Sequence, residues 1–424
     1  MTGVRLGLAT AAGRVAQWAS RTAGRGSGQS IRGQLIMRLD PQALPKLLAG
    51  RRVAAVSGTN GKTTTTHFLD AALRAHAERA GVGADHVVTN ADGANLHHGI
   101  ASALSTAPRA TIAVLETDER VVPDLVRHGR PEVLVLLNFS RDQLDRNHEI
   151  KRLARDWRTA LSTAGGDGPI VVANADEPLV VWAARAAREV VWVDTESTWL
   201  ADAALCPECG ALLHRTEPDD TPDGAGGDWS CPGCGLAQPD GAWAVRGGDI
   251  ITPDGETLSP GLQVPGRFNV ANAVCALAAA HVMGVDAEVA LEGMRTVTAP
   301  AGRFATASVN GSRVRLLLAK NPAGWAESLP LATSSTIVLA VSAEAADGRD
   351  TSWLWDVDYE QLQGRTVIAS GPRAHDLAVR LTHAGVEHRC APDLAEALAG
   401  HPEPVDVVAT YTCFQQLRRL GGLT

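Results

Sequence analysis

Lysine is nearly missing. Four residues, Lys46, Lys62, Lys151 and Lys320, stand against 35 arginines in a chain of 424. Where arginine carries almost all the positive charge, a retained lysine marks a position to check for chemistry. An excess of positive charge is missing too. The 39 basic and 47 acidic side chains leave a formal net charge of −8, which argues against a generally basic nucleic-acid-binding protein. Aliphatic runs end after about five residues, as in Val133–Leu137, far short of the roughly 20 that a membrane-spanning helix requires. Seven cysteines in so long a chain do not make a disulfide-built scaffold; four of them stand in two tight pairs, the pattern of a metal site in a reducing compartment.

What is present is ordinary for a folded protein, with 45% apolar and 20% charged residues. At roughly 100–200 residues per domain the length predicts two or three domains. The first 39 residues hold six arginines and no acid before Asp40, a composition that transit peptides share. There is no apolar core followed by a small-residue cleavage site, however. The 3–4 spacing of Val4, Leu6, Leu8, Val15 and Trp18 instead predicts an amphipathic helix in a cytoplasmic chain.

From Arg51 onward strands alternate with helices. Buried strands are expected at Val53–Val56, Thr111–Glu116, Val133–Asn138, Ile170–Ala173 and Val190–Val193, which predicts an α/β fold with a parallel sheet covered on both faces. The rhythm breaks over about 203–240. Helical pattern returns at Asn269–Met283 and Asp286–Met294. A second alternation follows Pro300, with strands at Val314–Leu318, Thr336–Val341, Thr366–Ala369 and Val405–Ala409. The expected organisation is an N-terminal helical segment (1–50), a central domain (51–299) with an insert, and a smaller Rossmann-like α/β domain (300–424).

Ser57-Gly58-Thr59-Asn60-Gly61-Lys62-Thr63-Thr64 follows a strand and opens a helix, the context a phosphate-binding loop needs. Its glycines let successive N–H groups face one anion, the helix N-terminus adds positive character, and Lys62 can reach terminal phosphates. Thr63 supplies a hydroxyl suited to Mg²⁺. The general pattern has a further glycine where this chain has Val56. Cys206-Pro-Glu-Cys209-Gly and Cys231-Pro-Gly-Cys234-Gly are two knuckles whose four thiolates can meet one Zn²⁺. The stretch between them carries Asp219, Asp220, Asp223 and Asp228 against Arg215, so it reads as a stabilising or docking module and not as a nucleic-acid binder. Cys275, Cys390 and Cys413, among apolar neighbours, read as core.

Further on, Lys320-Asn321-Pro322-Ala323-Gly324 follows a strand, where ligands enter an open α/β sheet, and Lys320 could stabilise a transferring phosphoryl group. Asp347-Gly348-Arg349-Asp350-Thr351-Ser352-Trp353-Leu354-Trp355-Asp356-Val357-Asp358-Tyr359-Glu360 concentrates acids and two tryptophans in a loop, which suggests a recognition surface.

The shortened loop Gly58–Thr64 resembles that of Mur ligases and folylpolyglutamate synthases. Other marks follow in the same order: Leu115–Glu119, Asn138–Asp145, Asn174-Ala175-Asp176-Glu177-Pro178, Gly266–Ala273 and Gly302-Arg303. Two positions depart from the amino-acid-adding pattern. Gln143 stands where a histidine is usual, and the place of a carbamoylated lysine falls near Trp157, with Lys151 out of step. With the Cys₄ insert, Arg141-Asp142-Gln143-Leu144-Asp145, Lys320–Gly324 and Asp347–Trp353, the chain resembles the MurT family, synthetase subunits of lipid II isoglutaminyl synthase, from about Gly33 to Leu417. One further departure is Ser342-Ala343-Glu344, where the family has asparagine and aspartate.

That resemblance implies a Mur-ligase-like P-loop ATPase domain carrying a Cys₄ zinc ribbon, and ATP-driven amidation of the D-glutamate α-carboxylate of lipid II. It implies ATP contacts from Gly58 to Thr64, Asn272 and Arg303, and Mg²⁺ on Thr63 and Glu116. Lys62 and Lys320 would be catalytic. The partner it implies is a GatD-like glutaminase that supplies ammonia, with Asp350, or its nearest rival Asp356, completing that partner's Cys–His triad. The membrane-anchored substrate implies action at the inner face of the bacterial membrane. Two other readings remain: a standalone ligase adding an amino acid to a carboxylate, and a zinc-ribbon adaptor whose nucleotide site only switches conformation.

Overall fold

The computed structural model describes residues 2–22, 29–91, 94–141, 150–197, 201–216, 228–298, 304–344 and 347–423. Two compact units emerge, one from Met1–Phe139 and Lys151–Ala301, the other from Ser140–Ile150 and Gly302–Thr424.

In the larger unit, β1 (Arg52–Ser57), β2 (Val87–Thr89), β3 (Ile112–Glu116), β4 (Val133–Leu136), β5 (Ile170–Asn174) and β6 (Glu189–Asp194) are parallel, in the order β6-β5-β4-β1-β3-β2. Their Val/Leu/Ala runs bury both faces, as strands covered by helices on each side must. A small pair, β7 (His214–Arg215) with β8 (Trp229–Ser230), belongs to the cysteine insert. The chain then rejoins the sheet. The strand β9 (Trp243–Arg246) runs parallel beside β6, and β10 (Asp249–Ile251) and β11 (Thr257–Leu258) continue it antiparallel to a nine-stranded mixed sheet. The sequence pattern showed none of these last three strands, because each is two to four residues long.

Helix Arg267–Val282 is buried without interruption from Asn272 to Ala280 and packs with helix Lys62–Arg79 and the sheet into one apolar core. Among the described residues no helix is long and apolar enough to cross a membrane.

The larger unit opens with the helices α1 (Thr2–Thr22) and α2 (Gln29–Leu39), with α3 (Ala43–Leu48) after them. The buried face of α1 is the one without bulky side chains. Small residues, Ala9 and Gly13, face α2, and a Cβ on Gly13 would meet Ile36 Cγ1 at 2.9 Å. Val4, Leu8, Val15 and Trp18, whose spacing predicted an amphipathic helix, are 65–69% exposed. Close helix approach selects the side without bulk, and the larger side chains are left outside.

The smaller unit has β12 (Phe304–Val309), β13 (Ser312–Leu318), β14 (Thr336–Ala340), β15 (Thr366–Ser370), β16 (His388–Cys390) and β17 (Val405–Ala409). Their order is β12-β13-β17-β14-β15-β16, parallel except for the edge strand β12, with apolar cores on both faces.

Candidate active site

Strand β1 lies between β3 and β4, with β2 and β3 on one side of it and β4 on the other, the switch point at which an open α/β sheet leaves a crevice beyond the strand's C-terminal end. The loop 58–61 fills that point. Gly58 (φ 145°) and Gly61 (φ 83°) hold conformations that side chains resist. A Cβ on Gly58 would lie 2.8 Å from Leu137 Cβ, and one on Gly61 would lie 2.3 Å from Asn272 Oδ1. Glycine is therefore required twice, once by the exit of β4 and once by the helix that carries Asn272.

Asn138 holds the loop in shape. Its Oδ1 accepts from Asn60 N–H at 2.8 Å, its Nδ2 donates to Asn60 O at 3.1 Å, and its carbonyl accepts from Thr59 N–H at 2.9 Å. Ser57 Oγ donates to Thr117 O at 2.8 Å. The helix Lys62–Arg79, here α4, starts directly from Gly61, so the N–H groups of its first turn point toward the loop. Lys62, Thr63 and Thr64 are buried at that turn. The Lys62 ammonium donates to Gly58 O, to Thr59 O at 3.3 Å and to Glu119 Oε1 at 3.2 Å. A cation held by carbonyls and a single carboxylate is positioned yet replaceable, since phosphate oxygens can take over those acceptors.

Glu116 ends β3 and is 3% exposed. Asn95 Nδ2 donates to its Oε1 at 3.1 Å, while Asn90 exchanges hydrogen bonds with its backbone on both sides at 2.8 Å. Its Oε2 has no hydrogen-bond partner among the described residues. A buried carboxylate oxygen without a donor suits a hard divalent cation, so Glu116 fits a Mg²⁺ site. Asp118, close by, stays below the usual carboxylate range: burial pushes it up, but hydrogen bonds from Arg120 outweigh that.

Trp157 is fully buried on helix Ile150–Ala164. It packs against Phe139 (centroids 4.3 Å apart, rings tilted by 42°) and donates its indole N–H to Glu119 O at 2.7 Å. An aromatic core residue thus fixes the segment that bears Lys62's carboxylate partner. Asn90, Asn95, Glu119 and Asn138 escaped sequence reasoning as individual groups. Asn138 and Glu119 lay inside motif blocks, whereas Asn90 and Asn95 carry no local signal.

The four cysteine sulfurs lie within 4.8 Å of one another, Cys206 to Cys234 at 3.6 Å and Cys209 to Cys231 at 3.4 Å. Ligands of a tetrahedral zinc thiolate with Zn–S about 2.3 Å stand about 3.8 Å apart, so the cluster fits Zn²⁺. Gly210 (φ 78°) and Gly235 (φ 73°) close the two knuckles, donating to Cys206 O and Cys231 O. The insert is tied to the sheet through the Asn174–Pro178 turn. Trp229 Nε1 donates to Ala175 O at 3.1 Å, Gln238 Nε2 to Asp176 Oδ1 at 3.1 Å, and the Trp182 indole to Glu208. Asp176 Oδ2 accepts from Thr195 N–H and hydroxyl and from Ser197 N–H. Burial pushes Asp176 up to about 7 and Glu177 up to about 8.

In the smaller unit Lys320 follows β13, and Asn321 caps the helix Pro322–Ser328 by accepting from Gly324 N–H at 2.9 Å. Buried Asp347 anchors the loop after β14, accepting from Thr412 N–H at 3.0 Å. Asp350 is exposed, and its Oδ1 accepts from Ser352 N–H at 2.8 Å, which lowers its pKa. Asp356 is exposed and pairs with Arg141 at 3.3 Å. Of the two loop tryptophans, Trp355 is 54% exposed, while Trp353 packs toward Trp325 with centroids 5.9 Å apart. Cys275 and Cys413 are core residues, but Cys390 is exposed, 3.5 Å from His375 Nδ1, because β16 is the sheet edge. Arg303, Asp142, Gln143, Asp145, Asp219, Asp220 and Asp223 lie outside the described residues.

Residues 56–208 match the Mur ligase middle domain model, and residues 318–414 match the MurT ligase C-terminal model. The MurT subunit of lipid II isoglutaminyl synthase (glutamine-hydrolyzing) from Staphylococcus aureus is 30% identical over 396 residues, covering 88% of this chain and 87% of that protein. Its counterpart from Streptococcus pneumoniae is 29% identical over 454 residues, covering 97% and 96%. A pseudomurein peptide ligase type C from Methanothermus fervidus superposes with a TM-score of 0.63 at 19% identity, over 87% of this chain and 78% of that one, a likeness of fold. A phosphate-loop unit of Mur-ligase architecture, joined to a MurT C-terminal region and matched over most of its length by MurT subunits, places this chain in the MurT family of ATP-dependent ligases.

Proposed function

We propose that this chain is the synthetase subunit of a lipid II isoglutaminyl synthase and amidates the α-carboxylate of D-glutamate in the lipid II stem peptide. The observation that carries the reading is the near-complete match to MurT subunits by a chain that keeps an intact Gly-Lys-Thr loop over a crevice. In this reading residues 51–299 form the ATPase domain and 300–424 the smaller domain.

A carboxylate is a poor electrophile, because its charge repels nucleophiles and oxide is a poor leaving group. The γ-phosphoryl group of ATP passes to a carboxylate oxygen, giving an acyl phosphate and ADP. Ammonia then attacks the carbonyl carbon, and the C–O bond breaks to release inorganic phosphate with that oxygen. The chain's contribution is positioning and electrostatics. Residues Gly58 to Thr64 contact the phosphates, with the N–H groups at the start of α4 as donors because those of Thr59 and Asn60 are given to Asn138, and Lys62 exchanges its carbonyl partners for phosphate oxygens. Asn272, with Arg303, orients the nucleotide, and Lys320 offsets charge on the phosphoryl group. Mg²⁺, held by Thr63 and Glu116, supplies further neutralisation of phosphate charge when bound. The four cysteines hold a structural Zn²⁺.

Most ammonia is protonated at neutral pH, so a GatD-like glutaminase subunit is the expected source. Asp350 would orient the imidazole of its Cys–His pair. The chain then works in the cytoplasm at the inner face of the membrane. The test is lipid II labelled with ¹⁸O in the acceptor carboxylate, incubated with ATP and ammonia. Label must appear in released phosphate and a carboxamide in the product. Phosphate free of label, or turnover only when an amino acid replaces ammonia, would overturn the reading.

A further inference from the structure

The first 39 residues hold six arginines and no acid, a charge of +6 that leaves the rest of the chain at −14, the difference between −8 and +6. Among the described residues, this basic segment also carries a run of large exposed apolar side chains. At 100° per residue Val4, Leu8, Val15 and Trp18 fall within a sector of about 80° and extend roughly 21 Å along α1. All four are more than 60% exposed. The opposite side of α1, with Ala9 and Gly13, is the one packed on α2. Exposed Arg5 and Arg14 lie on either side of the stripe, and exposed Ile31, Arg38 and Leu39 of α2 add to the same segment. Arg32 is spent internally, on Ser105 and Gln17.

We propose that α1 is a membrane-surface helix, which lays Val4, Leu8, Val15 and Trp18 into the headgroup region of an anionic bilayer. Charge complementarity selects this occupant. A stripe of large apolar residues between arginines, with no acid, matches an anionic lipid surface, where each basic residue near the surface contributes and a tryptophan sits well at the boundary. A second copy would set +6 against +6. The shallow insertion of one stripe also agrees with the lack of any spanning helix among the described residues. The surface is argued from these residues; only its use, bringing the crevice to a membrane-anchored acceptor, rests on the reading above. Vesicle binding is measured without turnover, so the two fail separately.

The experiment is flotation of the full chain, alone and with its glutaminase subunit, on vesicles of equimolar phosphatidylglycerol and phosphatidylcholine, with pure phosphatidylcholine as control. The wild type should float with the anionic vesicles, and added salt should weaken that binding. The double variant Leu8→Gln/Trp18→Gln should lose at least about tenfold in affinity with an unchanged melting temperature, since both side chains are already exposed. Arg14→Glu should lose severalfold on anionic vesicles. Wild-type chain that stays in solution at low salt, or a double variant that floats equally well, overturns the proposal. So does a double variant that binds vesicles normally but no longer associates with the glutaminase, which would assign the face to that protein.

Discussion

The loop after β1 and the loop after β14 each follow a central strand of their own sheet, and they are built to opposite ends. The first is enclosed. Asn138, Thr117, Glu119 and Asn272 meet it from three other segments, and Lys62, Thr63 and Thr64 are buried. The second is anchored at Asp347, Leu354 and Val357 yet displays Asp350, Trp355 and Asp356 outward. A group that acts within its own crevice is fixed by several neighbours, because small displacement costs rate. Asp350 stands outside, held by its own turn through Ser352, the placement the proposed role on another chain needs.

The sharpest way to break this contrast is Asp350→Asn in the complex with the glutaminase. Glutamine-dependent amidation should fall by up to about 10⁴-fold, as for a triad aspartate, while ammonia-driven amidation is unchanged. Asp356→Asn, which removes a carboxylate paired with Arg141, should have little effect on either. The reverse pattern would assign the role to the wrong acid. Lys62→Ala probes the enclosed loop and should reduce both ammonia- and glutamine-driven turnover by about 10²–10³-fold, measured as ADP release.

Substituting Cys206→Ser, or stripping metal with a chelator, should release about one zinc per chain and lower the melting temperature by several degrees, read by elemental analysis and calorimetry. Gly61→Ala should cost about 1–3 kcal/mol in denaturant titrations and abolish nucleotide binding, since the new Cβ meets Asn272. Gly81→Ala, at φ 72° in open space, should cost less and leave nucleotide binding intact.

The smallest effect concerns Glu177. Burial raises its pKa from 4.5 to about 8, so the folded chain keeps a proton that the unfolded chain releases. Stability tied to this group is complete below 4.5 and declines as pH rises toward 8. Glu177→Gln should flatten that slope and raise the melting temperature most near pH 8, as a pH series of thermal scans would show.

Much of this site is legible in one dimension because its parts are local. A buried four-residue strand, a glycine turn and a lysine at a helix start must be contiguous to make a phosphate loop, and the knuckles carry their own turn glycines. Glu116 is visible because it closes a strand. By contrast Asn90, Asn95 and Glu119 act through partners 21 to 57 positions away, and no spacing rule reports that. The stripe on α1 was visible as periodicity, but periodicity does not say which face is covered; Ala9 and Gly13 won the contact because they let two backbones approach. Cys390 looked like a core residue from its neighbours and is exposed because its strand lies at the sheet edge.

The amino-acid order by itself determined the loop, the paired knuckles and the alternating strands, since each depends on residues within a few positions of one another. The tertiary structure decided which groups surround Lys62, that β9–β11 complete the sheet beyond the insert, and which apolar surface stays in water. Those outcomes depend on contacts between distant segments, where close packing and burial, not local preference, set the free energy.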